Sequence, residues 1–205
     1  YKGIMVGAGT ILADNPQLTA RTEGMIDPVR IIVDGHLSVP LKAKVFQEEG
    51  ENIILTTTAS DEGKRKALSD MGVDIIMTDG EEKGSVDLEA AMTGLALKGI
   101  DSILLEGGAT LAASAFDAGI VDKVRIYTAP MIIGGASAPG LIGGEGAPTI
   151  PKAIRLRDIQ TQMTGKDLVI EAYVEKEAKE EKAESTRPTD VDLLKREEEP
   201  CSQGS

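Results

Sequence analysis

Short apolar runs alternate along this chain with segments of helical spacing, and that alternation narrows the possible folds more than any other feature. Gly3 to Val6, Val29 to Val33, Asn52 to Thr57, Val73 to Thr78, Ser102 to Leu105, Lys123 to Ala129 and Asp167 to Val174 are expected to be strands. Several are apolar without interruption, the pattern of strands buried on both faces of a parallel sheet. Asp61 to Met71, Asp87 to Lys98 and Thr110 to Ala118 are expected to be helices. In the second, Asp87 is a candidate N-cap, Leu88, Ala91, Met92, Leu95 and Ala96 share one face, and Gly99 ends the helix. Strands that alternate with helices imply right-handed parallel crossovers. The expected class is therefore α/β: a mixed, mostly parallel sheet flanked by helices, whose last strands, with no convincing helix between them, are free to run antiparallel.

Two strand ends carry glycines where a helix or turn should begin. In Ser102-Ile103-Leu104-Leu105-Glu106-Gly107-Gly108-Ala109-Thr110-Leu111 an apolar run meets an acid and two glycines. Glycine lets backbone N–H groups approach a phosphate, and the start of a helix adds unpaired donors and a favourable dipole. Read alone, the same pattern fits a plain tight connection. The second stretch runs from Gly3 to Arg21, where Gly7 and Gly9 open space beside the Thr10 hydroxyl, Asp14 can cap a turn or hold a hydroxyl, and Asp14-Asn15-Pro16 signals a turn.

Together these motifs resemble the reductase domain of riboflavin biosynthesis. The matching residues are Gly7-x-Gly9-Thr10 followed by Asp14-x-Pro16-x-Leu18-Thr19, then Pro28 to Asp34, then Leu105-Glu106-Gly107-Gly108-x-Thr110-Leu111, and last Ala129-Pro130-x-Ile132-x-Gly134-Gly135. The resemblance covers about Gly3 to Val174. It is nearer to the stand-alone archaeal-type reductases of 2,5-diamino-6-ribosylamino-4(3H)-pyrimidinone 5′-phosphate than to deaminase/reductase fusions. A zinc deaminase would need H-x-E and P-C-x-x-C, whereas this chain holds one histidine, His36, and one cysteine, Cys201, neither with those neighbours. The resemblance implies a dihydrofolate-reductase-like fold. It also places a further strand and a glycine-bearing loop upstream of Gly3, so residues 1–174 are expected to form a reductase domain that lacks its first strand.

The resemblance further implies an NAD(P)H-dependent oxidoreductase, with either NADPH or NADH as cofactor. Thr10 and Asp14 match cofactor-contacting positions, as do Asp34, Gly35, His36 and Leu37 in the turn after the second strand. Gly107, Gly108, Ala109, Thr110 and Leu111 match the turn that binds the pyrophosphate. Leu18, Arg21 and Glu106 match substrate positions: a guanidinium can fork onto two phosphate oxygens, and a carboxylate can accept from amino groups or ribose hydroxyls. For Asp34 to Leu37 a plain turn, and for Arg21 a surface cation, are the competing readings. His36 is assigned proximity, no residue is assigned as catalytic proton donor, and no metal is required. The expected partners are a phosphorylated pyrimidine and a second copy of the chain in a homodimer. A same-fold reductase for another substrate, or a catalytically silent nucleotide-binding or dimerisation module, are the alternatives.

Composition agrees with one enzyme domain and excludes other classes. In 205 residues, 41% hydrophobic, there is no tryptophan and there are only three tyrosines and two phenylalanines, so the core must be aliphatic. The net charge of −12 argues against a nucleic-acid partner. No apolar run approaches the roughly 20 residues of a membrane helix, and a lone cysteine fits a cytoplasmic protein. Residues 175–205 change character, with ten acids, six bases, Pro188 and Pro200, and are expected to form a charged, disordered tail.

Overall fold

The computed structural model describes residues 1–21, 24–135, 138 and 140–176. Among them Tyr1–Glu175 form one compact unit; the charged tail lies outside the described residues apart from Glu175 and Lys176.

Five parallel strands form the main sheet: β1 (Gly3–Gly7), β2 (Val29–Val33), β3 (Asn52–Thr56), β4 (Asp74–Met77) and β5 (Ile103–Leu105), in the order β4-β3-β2-β1-β5. Register pairs Met5 with Ile31 and with Leu105, and Ile31 with Ile53. Alternate side chains therefore enter opposite layers. Val6, Ile32 and Ile54 pack with Ile11 and Leu68 on one face, while Met5, Ile31, Ile53 and Leu55 pack with Leu88, Leu95, Leu111 and Ala115 on the other. That double burial is why Ile4 to Val6, Ile31 to Val33 and Ile53 to Leu55 read as unbroken apolar runs.

Four helices supply the covering layers: α1 (Ala8–Asp14), α2 (Glu62–Asp70), α3 (Leu88–Leu97) and α4 (Ala109–Asp117). Asp61 caps α2 by accepting from the Lys64 N–H at 2.7 Å, and Asp87 caps α3 by accepting from the Ala90 N–H at 3.0 Å. Helix α1 is the main departure from expectation, since the Gly7-to-Asp14 stretch is a helix rather than an open glycine turn. Its physical basis is Ile11, 2% exposed and anchored in the core, followed by a left-handed Asn15 whose N–H returns to the Ile11 carbonyl at 2.9 Å. Tertiary burial overrides the weak helix preference of Gly9.

The remaining strands form a second sheet of three: β6 (Lys123–Thr128), β7 (Leu156–Thr164) and β8 (Asp167–Val174), in the order β6-β8-β7 and antiparallel throughout. The antiparallel run of the last strands is as expected. Strand β7, however, is not evident in the sequence. A register shift between Arg157 and Gln160, with Asp158 at φ 54°, breaks the alternation of apolar and polar side chains that would have revealed it. Strands β7 and β8 join through Gly165-Lys166, with Gly165 at φ 62° in the turn.

Candidate functional site

The order β4-β3-β2-β1-β5 reverses its direction of growth between β1 and β5, and ligands of open α/β sheets bind outside the carboxyl ends of the strands at such a reversal. Because Met5 and Leu105 are register partners, the chain leaves both strands side by side. From β1 it enters α1 directly through Gly7; from β5 it passes Glu106, Gly107 and Gly108 into α4. The two glycine motifs, about a hundred residues apart in sequence, thus meet.

Thr10 shows how close they come. A Cβ on Gly107 would stand 3.2 Å from the Thr10 hydroxyl oxygen, and one on Gly108 would stand 3.4 Å from it. Gly107 and Gly108 also have φ of 76° and 84°, a region that side chains other than glycine's enter only with strain. Both the close approach and the backbone conformation call for glycine.

Between the motifs lies a cleft of about 290 Å3 lined by Gly7, Gly9, Thr10, Ala13, Asp14, Gly108, Thr110 and Leu111. Thr10, Ala13 and Asp14 share one face of α1 by their spacing of three and four. The helix starts bordering this cleft differ from the others. Helices α2 and α3 are capped by their own aspartates, whereas α1 and α4 have glycine at the N-cap and no side-chain cap. Their first N–H groups are left for something else, and at α4, nine residues long, these donors and the helix dipole together suit an anion.

The other expected site residues are placed as follows. Asp34 is 4% exposed and its carboxylate is engaged inside its own turn. One oxygen accepts from the Ser38 N–H (2.8 Å) and hydroxyl (3.0 Å), and the other accepts from the Val39 N–H (2.8 Å). A cofactor contact through that carboxylate would displace bonds the turn already uses, so its role here is to shape the turn. The Leu37 side chain is buried in the core below the sheet end, with φ 54°. His36 is exposed and lies against Gly84, where a Cβ would come within 2.0 Å of the ring. Gly35 approaches the Gly84 carbonyl so closely that a Cβ would stand 1.9 Å from it, and the Thr57 hydroxyl donates to the Gly35 carbonyl at 2.8 Å. Arg21 and Glu106 are exposed, and Leu18 is half-buried at φ 57°. None of Leu18, Arg21, Glu106 or Asp34 to Leu37 lines the cleft itself.

Sequence reasoning missed Ala13, whose signal was the helical spacing from Thr10, and a second glycine run, Gly143-Gly144-Glu145-Gly146, has no role that its sequence alone reveals. In the structure the Gly143 N–H donates to the Ala109 carbonyl at 2.9 Å, and a Cβ on Gly144 would stand 3.0 Å from that of Ala113. This second glycine run is seated on the first turns of α4.

The family model for the RibD C-terminal domain matches residues 1–170. The chain belongs to that family. Its relatives include the riboflavin biosynthesis protein RibD of Actinobacillus pleuropneumoniae, 38% identical over 85% of this chain and 46% of that protein. The 2,5-diamino-6-ribosylamino-4(3H)-pyrimidinone 5′-phosphate reductase of Methanothermobacter thermautotrophicus is 35% identical over 83% of this chain and 79% of that one. The chain spans about half the length of the RibD proteins it matches, 46% in each of two. Among solved structures, Acinetobacter baumannii RibD superposes with a TM-score of 0.70 at 22% identity, over 85% of this chain and 47% of that one. A riboflavin biosynthesis reductase of Saccharomyces superposes at 0.62, also at 22% identity, over 85% and 76%. The fold of the RibD C-terminal domain family is thus the dihydrofolate-reductase-like one that the motifs implied. Among the described residues no helix is long and apolar enough to cross a membrane, and no cluster of His, Cys, Asp or Glu could hold a metal ion.

Proposed function

We propose that this chain is an NAD(P)H-dependent reductase of riboflavin biosynthesis acting on 2,5-diamino-6-ribosylamino-4(3H)-pyrimidinone 5′-phosphate and giving the ribitylamino product. The observation that carries the reading is the junction of Thr10 with Gly107 and Gly108 at two helix starts without side-chain caps. Its chemistry fits a dinucleotide pyrophosphate, and homologous reductases are named for this substrate.

The nicotinamide cofactor, when bound, would supply a hydride to the first ribose carbon of the open-chain imine, while the imine nitrogen takes its proton from water or from the substrate itself. The protein's own part is position. The N–H groups of Ala109, Thr110 and Leu111 would hold the pyrophosphate, Gly107 and Gly108 would let the backbone approach it, and Thr10 and Asp14 would hold a hydroxyl. The turn from Asp34 to Leu37 borders the same end of the sheet, with Asp34 shaping it and Gly35 and His36 offering surface. Arg21 forks onto the substrate phosphate, Leu18 backs the loop that carries it, and Glu106 accepts from the pyrimidine amino groups or ribose hydroxyls. Holding the reacting atoms in near-attack geometry away from water is the main catalytic contribution.

We further infer that the protein acts as a cytoplasmic homodimer. Leu156, Met163, Leu168, Ile170, Ala172, Val124 and Ile126 share one face of the β6-β8-β7 sheet by register. Met163 is 63% exposed, as expected of a face that self-association would cover.

The test is oxidation of NADPH and of NADH, followed by absorbance under single-turnover conditions with the ribosylamino-pyrimidinone phosphate. Substrate-dependent oxidation that Gly108→Trp abolishes is expected. Oxidation with neither cofactor, in protein that binds both, would favour a silent nucleotide-binding module.

A further inference from the structure

The segment from Asn15 to Arg21 carries both Leu18 and Arg21, yet it has no regular secondary structure of its own. Leu18 packs against the core, and side-chain hydrogen bonds hold the rest, two of them to the neighbouring stretch Lys44 to Gly50 and one to Asp27. Asn15 leads, its side-chain carbonyl accepting from the Lys44 N–H at 2.9 Å. Gln17 follows, its amide donating to the Glu48 carboxylate. At the far end the Ala20 N–H donates to Asp27, at 2.6 Å, just before β2 begins.

Glu48 is itself held from inside. Arg30, on β2, is fully buried, and its Nη2 donates to the Glu48 and Glu49 carbonyls at 3.2 and 2.8 Å. The turn closes so tightly on the guanidinium that a Cβ on Gly50, at φ 120°, would stand 2.7 Å from Nη2. Burial pushes the Arg30 pKa down while Asp27 and Glu48 act against it, and an arginine so placed stays charged. Arg30 therefore ties the Glu48 turn to the rigid centre of the sheet, and Glu48 passes that rigidity to the loop.

We infer that Glu48 is a positioning residue for the substrate: held by the turn that Arg30 grips, its carboxylate takes the Gln17 amide and so fixes the loop that presents Leu18 and Arg21. This assignment rests on the proposed role of Arg21 in holding the substrate phosphate. A hydrogen bond to a carboxylate at a partly exposed site supports modest effects, and they should fall on substrate capture rather than on the hydride step.

Two measurements on the full chain test it. In ligand-free protein, Glu48→Ala should lower the backbone 15N heteronuclear NOE of residues 17–21 and leave that of α3 unchanged. In turnover, Glu48→Ala should raise KM for the phosphorylated substrate about three- to tenfold, with kcat and the cofactor KM within about twofold. Glu48→Gln, which keeps an acceptor oxygen, should restore the value, and Gln17→Ala combined with Glu48→Ala should be no worse than either alone. An unchanged NOE overturns the inference, as does a loosened loop with an unaltered substrate KM. Absence of turnover in the unmodified protein would instead remove the proposed reaction, and the NOE alone would then decide whether the brace exists.

Discussion

The five-stranded parallel sheet and the three-stranded antiparallel sheet use their apolar residues in opposite ways. In β1, β2 and β3 most residues are buried and none is exposed, whereas every residue of β7 is exposed. The first sheet uses its apolar surface on its own stability, and it positions the cleft at its carboxyl edge. The second leaves Leu156, Met163 and Leu168 uncovered. The larger buried core and the candidate cleft thus belong to one region, and the exposed apolar surface of β7 and β8 to the other.

The contrast is sharpest for paired truncations. Leu95 is fully buried beneath the parallel sheet, so Leu95→Ala should cost about 2–5 kcal/mol. Met163→Ala, in dilute monomer, should stay within about 0.5 kcal/mol. Urea denaturation of the two variants checks this, and equal losses would break the comparison. Met163→Asp addresses the uncovered face directly: sedimentation should show loss of the dimer, with cofactor affinity unchanged. A dimer that survives would move the interface elsewhere.

Capping gives a smaller effect. Asp87→Ala removes the N-cap of α3 and should cost about 1 kcal/mol in denaturant without altering NADPH affinity. Thr10→Val, beside the uncapped helix starts, should do the reverse, with little change in stability and weaker binding by isothermal titration. If Asp87→Ala weakened NADPH as much as Thr10→Val, the division between structural caps and ligand-facing helix starts would fail.

This division also explains what could be read from sequence. The buried strands and α3 were legible because double-sided burial yields unbroken apolar runs, and because Asp87 and Gly99 mark the limits of α3. Gly107 and Gly108 were legible as a helix-start motif. That Thr10 would meet them was not, since it depends on β1 and β5 being neighbours, a pairing across a hundred residues. Helix α1 was hidden by Gly9 and rescued by the burial of Ile11. Strand β7 was hidden by the bulge at Asp158, which inverts the alternation midway. The engagement of the Asp34 carboxylate was not legible because its partners, Ser38 and Val39, meet it only once the turn has formed.

The smallest expected effect lies in the exposed sheet, at the Lys123–Glu171 pair, 2.7 Å apart across β6 and β8. The hydrogen bond with Lys123 holds the Glu171 carboxyl below its usual range and raises the pKa of Lys123. A lowered folded-state value means that Glu171 contributes stability above its unfolded pKa and loses it as pH falls through the folded one. A raised value for Lys123 means that its contribution is lost only as pH rises through the folded value in the alkaline range. The pair should therefore act over a plateau around neutrality. Because it is solvated, salt should weaken it. Denaturation of the protein and of Glu171→Gln across pH should give curves that differ on that plateau and converge in acid. Curves that coincide at every pH would show that this pair adds nothing to a sheet whose buried side chains include Val169 and Ala172.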